Sequence, residues 1–246
     1  MKKIDIFYKT YNRDFWLMQL SLKTITKNVT GYNNIIILVP ENEKELFDTR
    51  GMPERTLIHY IGEYGSTYLY QQVCKLQAYK YCDAEYILFC DSDCMWDHPI
   101  DLQEFVKDDK PEILFTDYNK VDQAICWKAP TEKMIGESVE WEYMRRNCLI
   151  YHRSTLENIN KWKPDLEKIV MGSQSFSEFN LIGAWANKFE KERYTWINTD
   201  DWTYVEPKAT QVWSHASKEP GVSETHLREY IRTLETVIKS FCIKIQ

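Results

Sequence analysis

Tyr86-Ile87-Leu88-Phe89-Cys90-Asp91-Ser92-Asp93-Cys94-Met95-Trp96 is the stretch on which the reading of this chain turns. Its first half is a continuous apolar run of strand length, the pattern of a buried strand. It closes on two carboxylates two residues apart. In an extended segment residues i and i+2 point to the same side, so Asp91 and Asp93 are expected to converge where the strand leaves the sheet. In open α/β sheets, ligands bind just beyond the carboxyl ends of the strands. Two neighbouring carboxylates repel unless positive charge lies between them, which points to a divalent cation and, through it, to a phosphorylated ligand. A solvated acidic turn after a core strand is the plainer alternative.

Working outward, the segments before this strand alternate between strand and helix patterns. Ile4 to Thr10 reads as a strand, Arg13 to Lys27 as a helix, and Ile35 to Val39 as a strand stopped by Pro40. A short acidic helix over Glu41 to Asp48 and a strand over Thr56 to Ile61 follow. Ser66 or Thr67 can cap a helix over Tyr68 to Tyr81. This alternation predicts a parallel, three-layer α/β sheet with the acidic-pair strand fourth in sequence. After Asp93 the rhythm changes. Pro99 suits the first position of a short helix over Ile100 to Val106. Glu112 to Thr116 and Asn147 to His152 read as strands, with a poorly periodic, Trp-rich region from Asp117 to Glu142 between them. Ser154 to Asn160 starts a helix. Phe176 to Phe189 places Phe179, Ile182, Ala186 and Phe189 on one helical face. Thr195 to Thr199 and Thr210 to Ser214 read as short strands, and Ser223 to Ser240 as a final amphipathic helix.

With 246 residues the chain can build one α/β domain with a full core, and one domain over 1–246 is expected. Basic residues number 31 and acidic ones 37, a net charge of −6, and no long basic block occurs. Nucleic acid and anionic membrane surfaces are therefore not the expected partners, and a phosphate must be met by local cations or a metal. Nine Trp and sixteen Tyr suit a core, and equally a groove that packs sugar rings on aromatic faces. The seven cysteines form no Cys-x-x-Cys with a histidine partner; Cys90 and Cys94 read as small apolar fillers. No signal peptide and no run long enough to span a bilayer is apparent, so a soluble chain in the reducing cytoplasm is expected.

The apolar strand, the Asp-Ser-Asp turn and the following Pro-Ile-Asp-Leu-Gln-Glu-Phe resemble the core of small GT-A-fold glycosyltransferases, of the type found in bacterial or large-virus surface-glycan pathways. The resemblance covers most of the chain and implies a GT-A-like α/β/α fold with a mostly parallel sheet. A nucleotide-binding half would run through Asp93 and an acceptor half would follow it. It also implies a divalent metal and the diphosphate of a sugar nucleotide at Asp91 and Asp93, with Ser92 beside them. Thr10 and Tyr11, after the first strand, are similar to the turn under the nucleotide base; Arg13, at the start of the first helix, is a candidate phosphate contact, against the alternative of an ordinary surface charge. Arg146-Asn147-Cys148-Leu149-Ile150-Tyr151 is similar to the donor-sugar strand, with Asn147 on the donor. Ser177-Glu178 resembles the helix start where inverting members carry their base, and Trp213-Ser214-His215 the late histidine that completes the metal site.

Two aspartates and an imidazole sharing a cation with phosphate oxygens suit Mn²⁺, with Mg²⁺ close behind. The resemblance makes Lys75 a second cation for the ligand, on the helix face it shares with Gln71, although an ordinary solvated lysine fits the spacing as well. Glu178 is the expected general base, against the alternative of a helix N-terminal acid that only complements the dipole. In that alternative the donor phosphate deprotonates the acceptor and configuration is retained. The implied reaction moves a sugar from a nucleoside-diphosphate sugar, uridine-linked in this family, to a glycan hydroxyl with inversion. Two rival classes are a haloacid-dehalogenase-like phosphatase, for which Asp200-Asp201 would be the later acidic doublet, and a non-catalytic carbohydrate-binding domain with a structural Ca²⁺.

Overall fold

The structure is a computed structural model that describes residues 2–47, 51–145, 148–202 and 208–211. By internal contacts the chain divides into Met1–Thr210 and Gln211–Gln246, and the fold below is that of the first unit. The elements that position the site are β1 (Ile4–Lys9), α1 (Phe15–Asn28), β2 (Ile35–Pro40), β3 (Thr56–Ile61), α2 (Thr67–Leu76) and β4 (Tyr86–Phe89). They continue with β5 (Lys110–Asp117), α3 (Lys128–Ile135), β6 (Trp141–Glu142), β7 (Ile150–His152), α4 (Arg153–Trp162), α5 (Leu166–Met171), α6 (Glu178–Phe189) and β8 (Thr195–Asn198).

The central sheet has the order β7-β4-β1-β2-β3. Three of its four pairings, with β1 at the hub, are parallel, with Phe7 beside Phe89 and Tyr8 beside Ile37, while β7 joins the edge antiparallel through Tyr151 and Ile87. The protein is thus a mixed α/β fold with a mostly parallel sheet. The chain winds outward from β1 through β2 to β3, then returns to β1's other side as β4. That reversal makes the β1/β4 boundary the switch point of the sheet, where two chain ends diverge and leave a crevice.

Period-two alternation sends neighbouring residues of one strand into different cores. Ile4, Ile6, Tyr8, Ile35, Ile37 and Leu88 pack with Met18, Leu22 and Ile25 of α1. Phe7, Ile36, Leu38, Ile87 and Phe89 pack instead with apolar residues of α2, α4, α5 and α6. A carboxylate lies at the start of the sheet: Asp5, fully buried in β1, accepts from the backbone N–H groups of Asn34, Asp83 and Ala84 and from Asn33 Nδ2, at 3.0–3.1 Å. It ties the entries of β2 and β4 to β1. A smaller sheet, β6-β5-β8, carries the aromatic group of Phe115, Trp141, Tyr143 and Trp196.

Several local expectations are corrected. Ile100–Asp101 is a short strand paired with Val29–Thr30, and only Leu102–Phe105 turns as a 3₁₀ helix, because the Asp101 carboxylate caps Gln103 N at 3.0 Å. The acidic segment after β2 is likewise 3₁₀, over Glu41–Leu46. The helix expected to reach Tyr81 stops at Leu76 and resumes as a 3₁₀ turn over Ala78–Lys80, with Gln77 drawn to Glu167 at 2.7 Å. The aperiodic Trp-rich region contains α3, which ends on Gly136 at a φ of +82°, the left-handed conformation a glycine adopts without strain. Phe189 is half-exposed rather than part of the buried face of α6, stacking on Trp162 and Trp185 at the helix end. In the same helix Gly183 meets Tyr143 so closely that an added Cβ would lie 2.3 Å from the ring. The final helix expected over Ser223 to Ser240 lies outside the described residues. No described helix is long and apolar enough to cross a membrane.

Candidate functional site

The ends of β1 and β4 meet at the switch point, and Thr10, Ser92, Asp91, Lys75 and Glu178, all singled out from sequence, lie around it. The backbone N–H of Thr10 donates to Leu38 O at 3.0 Å, extending the β1–β2 ladder past the strand end. Ser92 Oγ and Thr10 Oγ1 lie 2.8 Å apart and bridge the two diverging strand ends. Thr10 is fully buried and Ser92 buried, so this contact belongs to the floor of the crevice.

Asp91 and Asp93 do not sit on extended backbone. β4 ends at Phe89, and the chain turns over Asp91–Cys94, closed by Cys94 N donating to Asp91 O at 3.0 Å. The same-side rule for a strand therefore does not apply to them. Asp91 is half-exposed, with its Oδ1 2.8 Å from Lys75 Nζ. Asp93 is buried, at 6 % exposure, so the plainer alternative of a solvated acidic turn does not describe it. Its charge reaches Tyr11, whose phenol is pushed up to about 12 by burial first, then by Asp14, with Asp93 adding a smaller part and Arg13 acting against them. Arg13 itself is exposed.

Lys75 is the largest departure from the plain reading. It is not a solvated lysine: its side chain is only 6 % exposed. The stripe Leu69, Val73, Leu76 does face the core, but Lys75 follows it inward, because its ammonium is met by two carboxylates. Its Nζ lies 2.8 Å from Asp91 Oδ1 and 2.9 Å from Glu178 Oε1, and 4.7 Å above the Phe179 ring. Burial alone would lower the pKa of this lysine; the charges of Asp91 and Glu178 outweigh it and raise the pKa above its ordinary value. Lys75 is thus held as a cation between the β4 turn and α6.

Glu178 is the first residue of α6, where Ser177 Oγ accepts from Asn180 N at 3.2 Å and closes the helix start. Its side chain is 7 % exposed. A helix N-terminal acid that only faces solvent and the dipole is therefore not what is found. The partner Glu178 meets is Lys75 on α2, the helix that packs against α6.

Three further groups at this end of the molecule escape sequence reading. Lys9, buried at the end of β1, donates to Thr10 O at 3.1 Å and stands 3.5 Å from Glu63 Oε1. Glu142 is fully buried, bound to Arg145 Nε at 2.5 Å and to Met144 N at 2.9 Å; burial raises its pKa, with Arg145 opposing. Asn180 joins this group to α6, its Oδ1 accepting from Tyr143 N at 2.8 Å. The Tyr151 hydroxyl is buried without a hydrogen-bond partner among the described residues, within electrostatic reach of both Glu178 and Glu142. The i,i+3 pair Glu142-Arg145 was the one local signal available; nothing local marks Lys9 or Tyr151.

Asn147 and His215 lie outside the described residues. A cleft of about 460 Å³ lies elsewhere: it runs between α3 and α5, lined by Lys133, Lys163 and Lys168, and contains neither Asp91 nor Glu178. Asp200, of the late acidic doublet, is occupied in the smaller sheet, accepting from Thr116 Oγ1 at 2.7 Å and Asp117 N at 2.9 Å. A hard divalent cation fits the chemistry of Asp91 and Asp93, which offer carboxylate oxygens from one turn, the first of them open to solvent. Among the described residues no third carboxylate or imidazole joins them, and the sole group of three ligating side chains is Cys90, Cys94 and Cys148. No protein-family model matches the chain, and no curated protein is significantly similar to it.

Proposed function

We propose that this chain is a metal-dependent glycosyltransferase of GT-A-like, three-layer architecture. It transfers a sugar from a nucleoside-diphosphate sugar, uridine-linked, to a glycan hydroxyl with inversion. The observation that carries this reading is Lys75 Nζ held between Asp91 and Glu178 at the switch point of the sheet. Such transfer requires positive charge where a diphosphate departs and a proton acceptor where a hydroxyl attacks. An ammonium kept charged by its surroundings, with one carboxylate on the strand-end turn and another on a facing helix, brings both requirements to one place.

Asp91 and Asp93 would hold Mn²⁺ or Mg²⁺, with His215 as a further ligand, and the cation would act as a Lewis acid on the leaving phosphate. Lys75 shares that load as a second cation. Ser92 and Thr10 shape the floor, Tyr11 offers a phenol that stays protonated at neutral pH, and Arg13 adds a solvent-side charge toward the nucleotide. Asn147 would meet the donor sugar. As the diphosphate draws on Lys75, Glu178 is freed to take the acceptor proton. Its near-complete burial favours a second reading, in which Glu178 only orients Lys75, the departing phosphate takes the proton, and configuration is retained. Anomeric analysis of the product by NMR separates the two.

The rival phosphatase chemistry is disfavoured by three strands of the central sheet preceding the acidic-pair strand and by the engagement of Asp200 in the smaller sheet. A carbohydrate-binding domain does not call for a buried lysine between two carboxylates. The test is a screen of sugar nucleotides for hydrolysis and for a rise in melting temperature, with and without Mn²⁺. Glu178→Gln should keep Mn²⁺-dependent nucleotide binding and lose transfer, whereas Asp93→Asn should lose the Mn²⁺ dependence itself. If no nucleotide stabilises the chain with Mn²⁺ while free sugars or phosphate esters do, the assignment fails.

A further inference from the structure

A second constellation lies directly behind the acidic turn. Cys90 and Cys94 bracket Asp91–Asp93, and Cys148 reaches them from the segment before β7. One sulfur from each lies within 4.8 Å of the other two, and Cys148 Sγ is 3.7 Å from Cys90 Sγ. All three are buried. Thiolates bound tetrahedrally at a metal–sulfur distance of about 2.3 Å stand about 3.8 Å apart. One pair is already at that spacing, and the third sulfur needs to move by about an ångström.

Simple space-filling does not account for Cys148. Its φ is +61°, in the left-handed region that residues bearing a Cβ occupy reluctantly. A glycine or asparagine would suit that backbone better, yet a cysteine stands there and touches Cys90. Around the cluster the fold supplies the outer contacts that ligating sulfurs need. The Tyr8 hydroxyl lies 2.8 Å from Ser21 Oγ, which in turn donates to Cys94 O at 2.5 Å.

We propose that Cys90, Cys94 and Cys148 form a binding site for one thiophilic cation, with zinc(II) as its representative. On binding, each thiol that ligates releases its proton to solvent as the sulfur–metal bond forms, and no electron is transferred. The soft donor set separates this site from the carboxylate pair, which takes hard cations. Its consequence is mechanical: the ion ties the end of β4, the far side of the acidic turn and the lead into β7 at one point. The site does not depend on the glycosyltransferase reading.

The test uses the full, reduced chain and Cd²⁺ as spectroscopic probe, followed through the ultraviolet thiolate-to-cadmium charge-transfer band. One Cd²⁺ per chain is expected, displaced by Zn²⁺. Cys148→Gly relieves the left-handed strain while deleting the thiol, so it should fold and lose the band, with affinity down by more than the ~10–100-fold that loss of an outer partner costs. Cys126→Ser, at an exposed thiol, should leave the band intact, as should Asp93→Asn. A rise in melting temperature with Zn²⁺ should appear in the wild type and be absent in Cys148→Gly. The proposal is overturned if the wild type shows no band or if Cys148→Gly retains it. It is equally overturned if Asp93→Asn abolishes the band, or if Cys90 and Cys148 close a disulfide instead of taking metal.

Discussion

Replacing Lys75 with Met puts the central arrangement to its hardest test. The substitution keeps the side chain's length and apolar stem and removes only the charge. It leaves Glu178, 7 % exposed, ionised without its partner, beside an Asp91 that is about one-third exposed. Removing one member of a buried ion pair costs about 3–5 kcal/mol, almost all of it the isolated charge left behind. Asp91, screened by water, adds little to that. A loss of about 3 kcal/mol should lower the melting temperature by roughly 6–12 °C for a chain of this size. The wild-type pair itself should be insensitive to pH across the neutral range. The pKa of Lys75 is raised by Asp91 and Glu178 against the opposing effect of burial, so its contribution is complete below the usual lysine value and is lost only as pH rises through the higher one. Urea unfolding at pH 7.5, on wild type, Lys75→Met and Lys75→Met/Glu178→Gln, measures each part. The double variant buries no lone charge and should regain at least about 1.5 kcal/mol over the single one. The reasoning is refuted if Lys75→Met stays within about 0.5 kcal/mol of wild type, or if the double variant is no more stable than the single.

Two other substitutions probe the fold around the site. Asp5→Ala strands the buried N–H groups of Asn34, Asp83 and Ala84, each costing about 1–3 kcal/mol, so it should be among the most damaging single changes, visible as loss of soluble, cooperative unfolding. For His152, burial first and the Arg193 charge second hold its pKa below the ordinary histidine value. The unfolded chain then binds the extra proton first, so stability is full above about pH 6.5 and falls as pH drops from there toward the folded value. His152→Gln should flatten that limb in a pH series of melting curves, and an unchanged limb would assign it to other groups.

Much of the central sheet was readable because local and tertiary demands agree there. Ile4–Lys9, Ile35–Pro40, Thr56–Ile61 and Tyr86–Phe89 are largely apolar runs of strand length, and all four are strands, the second running on through Pro40, which was expected to stop it. Reading failed where a side chain answered to something distant. Ile100–Asp101 pairs with Val29–Thr30 across some seventy residues, a partnership Pro99 cannot announce. Lys75 sits one position from Leu76 on α2, and spacing alone leaves it on a solvated face. Its burial becomes affordable only because Asp91 and Glu178 arrive from other elements.

The amino-acid order alone determined where the strands lie and that two acids cap the fourth of them, since burial of alternating apolar residues is a property of a short segment. Only the tertiary structure decided what those acids face. Asp91 and Asp93 leave the strand on a turn rather than extended backbone, Asp91 paired with Lys75 and Asp93 buried. Cys148 joins Cys90 from 58 residues away for the same reason. Charge pairing and ligand sets act through space, and the distances that govern them exist only once the sheet has brought its strand ends together.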